Sequence, residues 1–388
     1  MLSFLPVLML MVVFSPLAID IFLPAMPDMA NDLQTSLTTL QWSVSGFLLA
    51  MGCGQLIAGP LADKYGRKPI AMIGIVIYFI ACLACVAADT VSWHLFARFV
   101  HGLGTCAIVV SAFAIVRDRF DAVQSGMMYS YLNGVICCIP ALAPILGGWL
   151  AHEYGWRSTF SFMAAYAVGA GTLVALFLKE TNSTKQPTQV TLFSMARYKS
   201  VITDRMFVFH ALAVMLAMAV IIAYVSSSPA WLMVALQQNQ DEFIFWFSLN
   251  AVVNIIACLT APKLLTRWGV AFTLHIAFTV LMFGGILMYG LLSIKEAWAF
   301  MIPVMFSSVG FSLLMGTCAG QALAPFAEKA GTASAMLGFL QMAGSAVLVG
   351  VVQQLPLPIP AQVALLMCGF IVFMLIWLIP SMQRRLIS

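Results

Sequence analysis

The chain has 388 residues, 62% hydrophobic and 8% charged, with a formal net charge of +4. Soluble globular domains carry about 25% charged residues, so a water-soluble fold is excluded: too few polar side chains exist to cover so apolar an interior. The small net charge gives no reason to expect a nucleic-acid partner. The nine cysteines lie almost entirely in apolar runs and read as small buried hydrophobes, not as a metal site.

A helix needs roughly 20 predominantly apolar residues to cross a bilayer. Twelve segments meet that requirement: 4–26, 40–62, 69–88, 92–116, 126–150 and 158–178, then 205–228, 242–265, 270–292, 297–323, 332–353 and 361–381. The tenth and eleventh are the least cleanly separated. The first run, Leu2 to Ile19, has no basic residue before it and no small-residue cleavage site after it. It is expected to be a retained span and not a signal peptide.

Asp20 falls inside that first span. A charge at the bilayer centre costs about 3 kcal/mol on insertion scales, so it must face protein or a water-filled cavity. Pro24 and Pro27 follow closely and allow a second reading, an interfacial helix end. The functional reading is a titratable carboxylate in a transport cavity, because burial raises the pKa of a carboxylate and lets it exchange a proton near neutral pH.

Between the second and third spans runs GPLADKYGRKP, Gly59 to Pro69, with four charges: Asp63, Lys64, Arg67 and Lys68. The basic residues fit a topological role, but Asp63 among them does not. In the fourth span, RFVHGLG runs from Arg98 to Gly104. His101 is three residues from Arg98 and shares its helix face. Arg98 cannot realistically deprotonate; it acts as a fixed charge on a neighbouring carboxylate. His101 reads either as a proton relay or as a hydrogen-bonded packing residue.

The fifth span holds NGVICCIPALAPILGGWL, Asn133 to Leu150, with Gly134, Pro140, Pro144, Gly147 and Gly148. Proline removes backbone donors and glycine permits close helix contact, so this helix is either a packing element or a deformable one between moving bundles. The polar stretch 179–204 then reads as a linker, dividing the chain into 1–178, 179–204 and 205–388. Six spans on each side suggest an internal duplication. APKLLTRWG, Ala261 to Gly269, is its faint echo of GPLADKYGRKP, without the Asp. Further polar groups inside spans include Gln55, Asn133, Asn250, Asn254 and Gln321.

Of the 18 Lys and Arg residues, 15 fall in segments on one side; only Arg157 and Lys295 lie opposite, and Arg98 lies within a span. The positive-inside rule then places both termini in the cytoplasm. No G-x-x-x-x-G-K-[ST] phosphate loop occurs, so no nucleotide is expected as the energy source. Paired catalytic carboxylates and a Ser/His/Asp pattern are also lacking, which disfavours a membrane enzyme.

Taken together, these motifs resemble the major facilitator superfamily and, within it, the twelve-span drug:proton antiporters of the Bcr/CflA group. GPLADKYGRKP is similar to the signature between helices 2 and 3. RFVHGLG is similar to the helix 4 signature, with His101 where Gln is usual. PALAPILGG resembles the helix 5 antiporter motif, with Ala143 where Gly is usual. SPLAIDIFLPAMP, Ser15 to Pro27, and GTASAMLGFLQ, Gly331 to Gln341, point to the narrower group.

The resemblance implies an all-α membrane protein of two six-helix bundles around a central cavity. It would be a monomer in the bacterial inner membrane, working by alternating access. It implies export of small apolar antibiotics, such as chloramphenicol-like compounds, driven by the proton gradient and needing no cofactor. Asp20, Arg98 and His101 would couple protons. Gly59, Asp63, Gly66, Arg67 and Arg117 would form a cytoplasmic gate, with Asp63 latching onto the start of the eleventh helix near Gly331 to Ser334. Pro140, Pro144, Gly147 and Gly148 would form the antiporter motif. A proton-coupled exporter or importer of a small metabolite is the alternative on the same fold, and a passive channel is a further one.

Overall fold

Hydrocarbon offers no hydrogen-bond partners, so a chain crossing it must satisfy its backbone internally, as a helix or a closed barrel. The computed structural model describes residues 5–120, 122–181 and 195–387, which are helical with no strand among them. Among the described residues, eleven continuous apolar stretches are long enough to span a bilayer. One of them, Gln240–Gly290, has 51 residues. At 1.5 Å per residue it would extend about 76 Å, against about 30 Å of hydrocarbon. It is two spans, broken at Gly269, whose φ of 77° and ψ of 173° are not helical.

The twelve spans are α1 (Leu5–Asp32), α2 (Leu37–Tyr65), α3 (Arg67–Val86), α4 (Val91–Arg119), α5 (Ala122–Tyr154), α6 (Arg157–Phe177), α7 (Arg205–Ala235), α8 (240–268), α9 (270–290), α10 (Ala297–Phe326), α11 (Gly331–Val352) and α12 (Ile359–Trp377). The chain divides into two compact units, Met1–Ser194 and Met195–Ser388. The boundary falls within the polar stretch 179–204; residues 182–194 of that stretch lie outside the described residues, and 195–202 form a short helix.

In the first unit α4 packs against α2 and α3, α3 against α6, and α1 against α5. In the second, α10 packs against α7 and against the α8–α9 pair, and α9 against α12. Helix α3 shows how one sequence face is chosen. Ile73, Val76, Ile80 and Leu83 recur at three- and four-residue spacing and are exposed, while Ala71, Tyr78, Cys82 and Cys85 are buried. An exposed apolar stripe suits lipid as the surrounding solvent.

The internal echo seen in the sequence has a geometric counterpart. α2 gives way to α3 at a single residue, Gly66 (φ 106°), as α8 gives way to α9 at Gly269 (φ 77°). Both conformations lie in a region that only glycine enters without strain.

Candidate functional site

Arg98 is fully buried in α4. Its Nε donates to the carbonyl oxygen and to Oγ of Ser43, both at 3.2 Å. Nη2 donates to the Ala18 carbonyl at 2.9 Å and Nη1 to Nδ1 of His101 at 2.8 Å. The rings of Phe47, Phe22 and Phe160 lie 4.6, 4.8 and 5.9 Å from Cζ. No carboxylate pairs with Arg98 among the described residues. Neutral acceptors and aromatic faces hold the cation instead.

This arrangement fixes the state of His101. A guanidinium can only donate, so Nδ1 of His101 accepts, and the ring proton sits on Nε2. There it faces Sγ of Cys82 at 3.6 Å. The ring is further clamped edge-on by Tyr78 and Phe47. Gly102 sets the depth of this cluster: a Cβ there would strike the Phe47 carbonyl of α2. In this conformation His101 orients Arg98 and has no open nitrogen for a relay. Ser43, which sequence reasoning missed, is the second orienting group, and its Oγ also lies 3.1 Å from Nε2 of buried His94. One signal for these contacts was available: His94 stands one helical turn before Arg98.

Asp20 is not in the interior of a regular helix, as the sequence suggested. The first α-helical segment is Leu5–Asp20 and ends on it; a 3₁₀ turn, Leu23–Ala25, and a helix, Met26–Asp32, continue the span. Pro24 and Pro27 are the cause. Pro24 has no N–H to offer the Asp20 carbonyl four residues back, and Pro27 none for Leu23. The break is nevertheless packed inside the protein: Asp20 is 4% exposed. Asp20 takes part in no ion pair among the described residues.

Helix α5 meets that break. A Cβ on Gly147 would collide with the carbonyl oxygen of Ile21, the residue after Asp20. α5 stays helical through Pro140 and Pro144; Pro144 and Gly148 are buried and Pro140 is half-buried. Asp20, Arg98, His101 and Gly147 are thus gathered around one interruption of α1.

The α2–α3 turn forms a second cluster. Arg67 is buried, and its guanidinium binds Asp63 at 2.5 Å and Asp118 at 2.8 Å. The Glu180 carboxylate accepts from the backbone N–H groups of Arg67 (3.0 Å) and Lys68 (3.1 Å). It caps the otherwise unpaired amides at the start of α3, where negative charge is favoured. Lys68 Nζ donates to the Ala175 carbonyl at 2.7 Å near the end of α6.

Two expectations are corrected here. Arg117 is exposed and is not the partner in this network; the next residue, Asp118, is. Gly59 lies within α2 and not in the turn, and a Cβ there would meet no atom within 4 Å. The close approach belongs to Gly66, where a Cβ would meet the Glu180 carboxylate. Asp118 carried the same signal as Asp63, a lone acid between basic residues.

At the other end of the first unit, Arg157 pairs with Asp32 and lies 3.6 Å from Asp89. It also donates to the carbonyls of Val86 and Ala88, tying α1, the α3–α4 loop and α6 together. In the second unit, buried His210 lies between Cys318 Sγ (3.3 Å) and the Leu386 carbonyl (2.9 Å). The carbonyl accepts from Nε2, so Nδ1 is the acceptor facing the thiol.

The family model described as Major Facilitator Superfamily matches residues 8–349. Curated relatives include the multidrug resistance protein MdtL of Klebsiella pneumoniae (strain 342), 33% identical over 335 residues, covering 86% of this chain and 84% of that protein. The MdtL protein of Salmonella paratyphi C (strain RKS4594) is 30% identical over 345 residues, with the same coverages. Among solved structures, a D-xylose-proton symporter superposes with a TM-score of 0.79 at 14% identity, covering 98% of both chains. The human organic anion transporter MFSD10 gives 0.68 at 14% identity, over 97% of this chain and 98% of that one. Likeness at 14% identity establishes the shared fold.

Proposed function

This chain belongs to the major facilitator superfamily, and from that premise we propose that it is a multidrug exporter of the bacterial inner membrane that moves small apolar antibiotics outward in exchange for protons. The reading of its cargo leans on the names of the MdtL relatives. The reading of its energy source leans on one observation: a buried carboxylate, Asp20, at a break of α1 where the nearby Ala18 carbonyl accepts from the buried cation Arg98.

Exchange of a proton for a drug requires a group that is charged in one state and neutral in another. Arg98 cannot serve, because a guanidinium keeps its proton. His101 has Nδ1 engaged by Arg98 and Nε2 facing Cys82. Asp20 is the remaining candidate in this cluster. Arg98 is anchored on the Ala18 carbonyl two residues before Asp20, and a carboxyl taken out of water holds its proton more readily than one that water reaches. Water reaching the Asp20 carboxyl from one side of the membrane or the other then decides where the proton is taken up and released. Gly147 against the Ile21 carbonyl gives α5 a route to this site when the helices shift.

The distribution of basic residues supports placing the α2–α3 turn and both termini in the cytoplasm. Asp63, with its side chain 53% exposed beyond Arg67, is then the group we assign to the latch on the start of α11 near Gly331 to Ser334. A helix N-terminus favours a carboxylate. The exporter acts as a monomer and uses no cofactor in this account.

The test uses inverted membrane vesicles containing the full chain. Chloramphenicol uptake into the vesicles should follow an imposed pH gradient and should release protons from the lumen. Uptake that persists unchanged when the gradient is collapsed would overturn proton exchange.

A further inference from the structure

Helices α8 and α10 carry a polar ladder that the cluster around Asp20 does not use. Asn250, Asn254 and Cys258 recur every four residues on α8, and Ser308 and Ser312 on α10. Ser308 Oγ donates to Asn250 Oδ1 at 2.9 Å, and Ser312 Oγ to Asn254 Oδ1 at 2.7 Å. Cys258 Sγ lies 3.9 Å from Asn254 Oδ1 and 3.3 Å from Ser312 Oγ. Ser312 Oγ is also 3.0 Å from the Ser308 carbonyl.

The direction of these bonds orients the amides. Hydroxyl and thiol donors converge on the Asn oxygens, so each Oδ1 faces α10 and each Nδ2 is turned away from it. Neither Nδ2 makes a hydrogen bond to a described residue, although Asn250 is only 6% exposed. Side-chain hydrogen bonds that merely hold two membrane helices together need one donor and one acceptor per rung. Here every Asn brings two further N–H groups that no described residue accepts from; these atoms are not sealed in the protein interior, so they are open to an acceptor from outside the helix pair. The flanking sequence carries no charge: residues 243–262 of α8 and 297–323 of α10 contain no Asp, Glu, Lys or Arg. An anion would find no cation to pair with on these stretches, and a cation no acid.

We propose that Asn250 and Asn254, held in orientation by Ser308 and Ser312, form a hydrogen-bond-donor subsite for neutral substrates bearing carbonyl or nitro oxygens. The inference rests on the reading of the chain as a drug exporter and narrows its substrate class. Apolar cations without acceptor atoms fall outside the subsite.

The experiment measures equilibrium binding to the purified full chain in lipid nanodiscs, with chloramphenicol as the neutral acceptor-bearing probe and tetraphenylphosphonium as the acceptor-free cation. Asn254→Leu and Asn250→Leu, close in size but without amide hydrogens, should each weaken chloramphenicol binding roughly tenfold, the loss of about one good hydrogen bond. Tetraphenylphosphonium binding should stay within about twofold of wild type. Ser312→Ala, which keeps both amides but frees the orientation of one, should weaken chloramphenicol by a smaller factor, and it carries the test if a Leu variant fails to fold. Chloramphenicol affinity unchanged in the variants that fold, equal losses for both probes, or no chloramphenicol binding by the wild type would each overturn the subsite. Binding is read without a pH gradient, so failure here is distinct from failure of proton-driven export.

Discussion

Replacing Gly66 with Ala tests how the α2–α3 turn is held. At φ 106° and ψ 154°, the residue sits where side chains other than glycine are strained by about 1–3 kcal/mol. The added methyl would also lie 2.5 Å from Oε2 of Glu180 and 2.9 Å from its Cδ. Glu180 must therefore withdraw and leave the backbone amides of Arg67 and Lys68; loss of a helix cap costs about 1 kcal/mol. The sum is about 3 kcal/mol. Gly269→Ala supplies the control, because Gly269 has a similar backbone (φ 77°, ψ 173°) but open space at its Cβ position. It should lose the conformational part alone. Thermal unfolding of the purified variants in one detergent reads both, and Gly66→Ala should melt below Gly269→Ala. Glu180→Ala should recover the difference, destabilising the wild type while adding little to Gly66→Ala. Equal melting temperatures for the two glycine variants, or full additivity with Glu180→Ala, would refute the proposed clash and cap.

Arg98→Ala should reach the membrane in normal amounts, since removing a buried cation relieves about 3 kcal/mol on insertion scales, yet drug-driven proton movement should be lost; quantitative blotting with vesicle pH measurements checks both. Gly147→Val should abolish transport while leaving membrane levels near normal, because α5 can no longer seat against the Ile21 carbonyl; cross-linking yield between cysteines placed on α1 and α5 would report the separation. Asp63→Asn should insert normally but transport more slowly across a range of drug concentrations. A wild-type rate for it would remove the latch.

Which parts of this account were legible in the sequence follows from the range of the interactions involved. The spans were readable because about 20 consecutive apolar residues are a local property, and the α8–α9 break was marked by Lys263, Arg267 and Gly269 even though the helix runs almost unbroken through it. Asp20 and Arg98 stood out because charge is costly in such a setting. The depth of Asp20 was not legible. Pro24 and Pro27 announce a helix break but not whether α4 and α5 pack over it. Ser43 carries no local mark at all, and its bond to Arg98 spans 55 positions. Glu180 looked like part of a polar linker, and its partner Arg67 is 113 positions away. Asp118 lies between Arg117 and Arg119 at a span end, where basic residues carry the topological signal and mask the acid between them.

The central claim is that Asp20 carries the proton that is exchanged for drug. The most direct measurement follows chloramphenicol flux and internal pH together in proteoliposomes containing purified wild type or Asp20→Asn. The wild type should move protons against drug, with each flux driving the other. Asp20→Asn should fold and bind the neutral drug, but neither gradient should drive the other. Proton-coupled flux at the wild-type rate in Asp20→Asn would contradict the account.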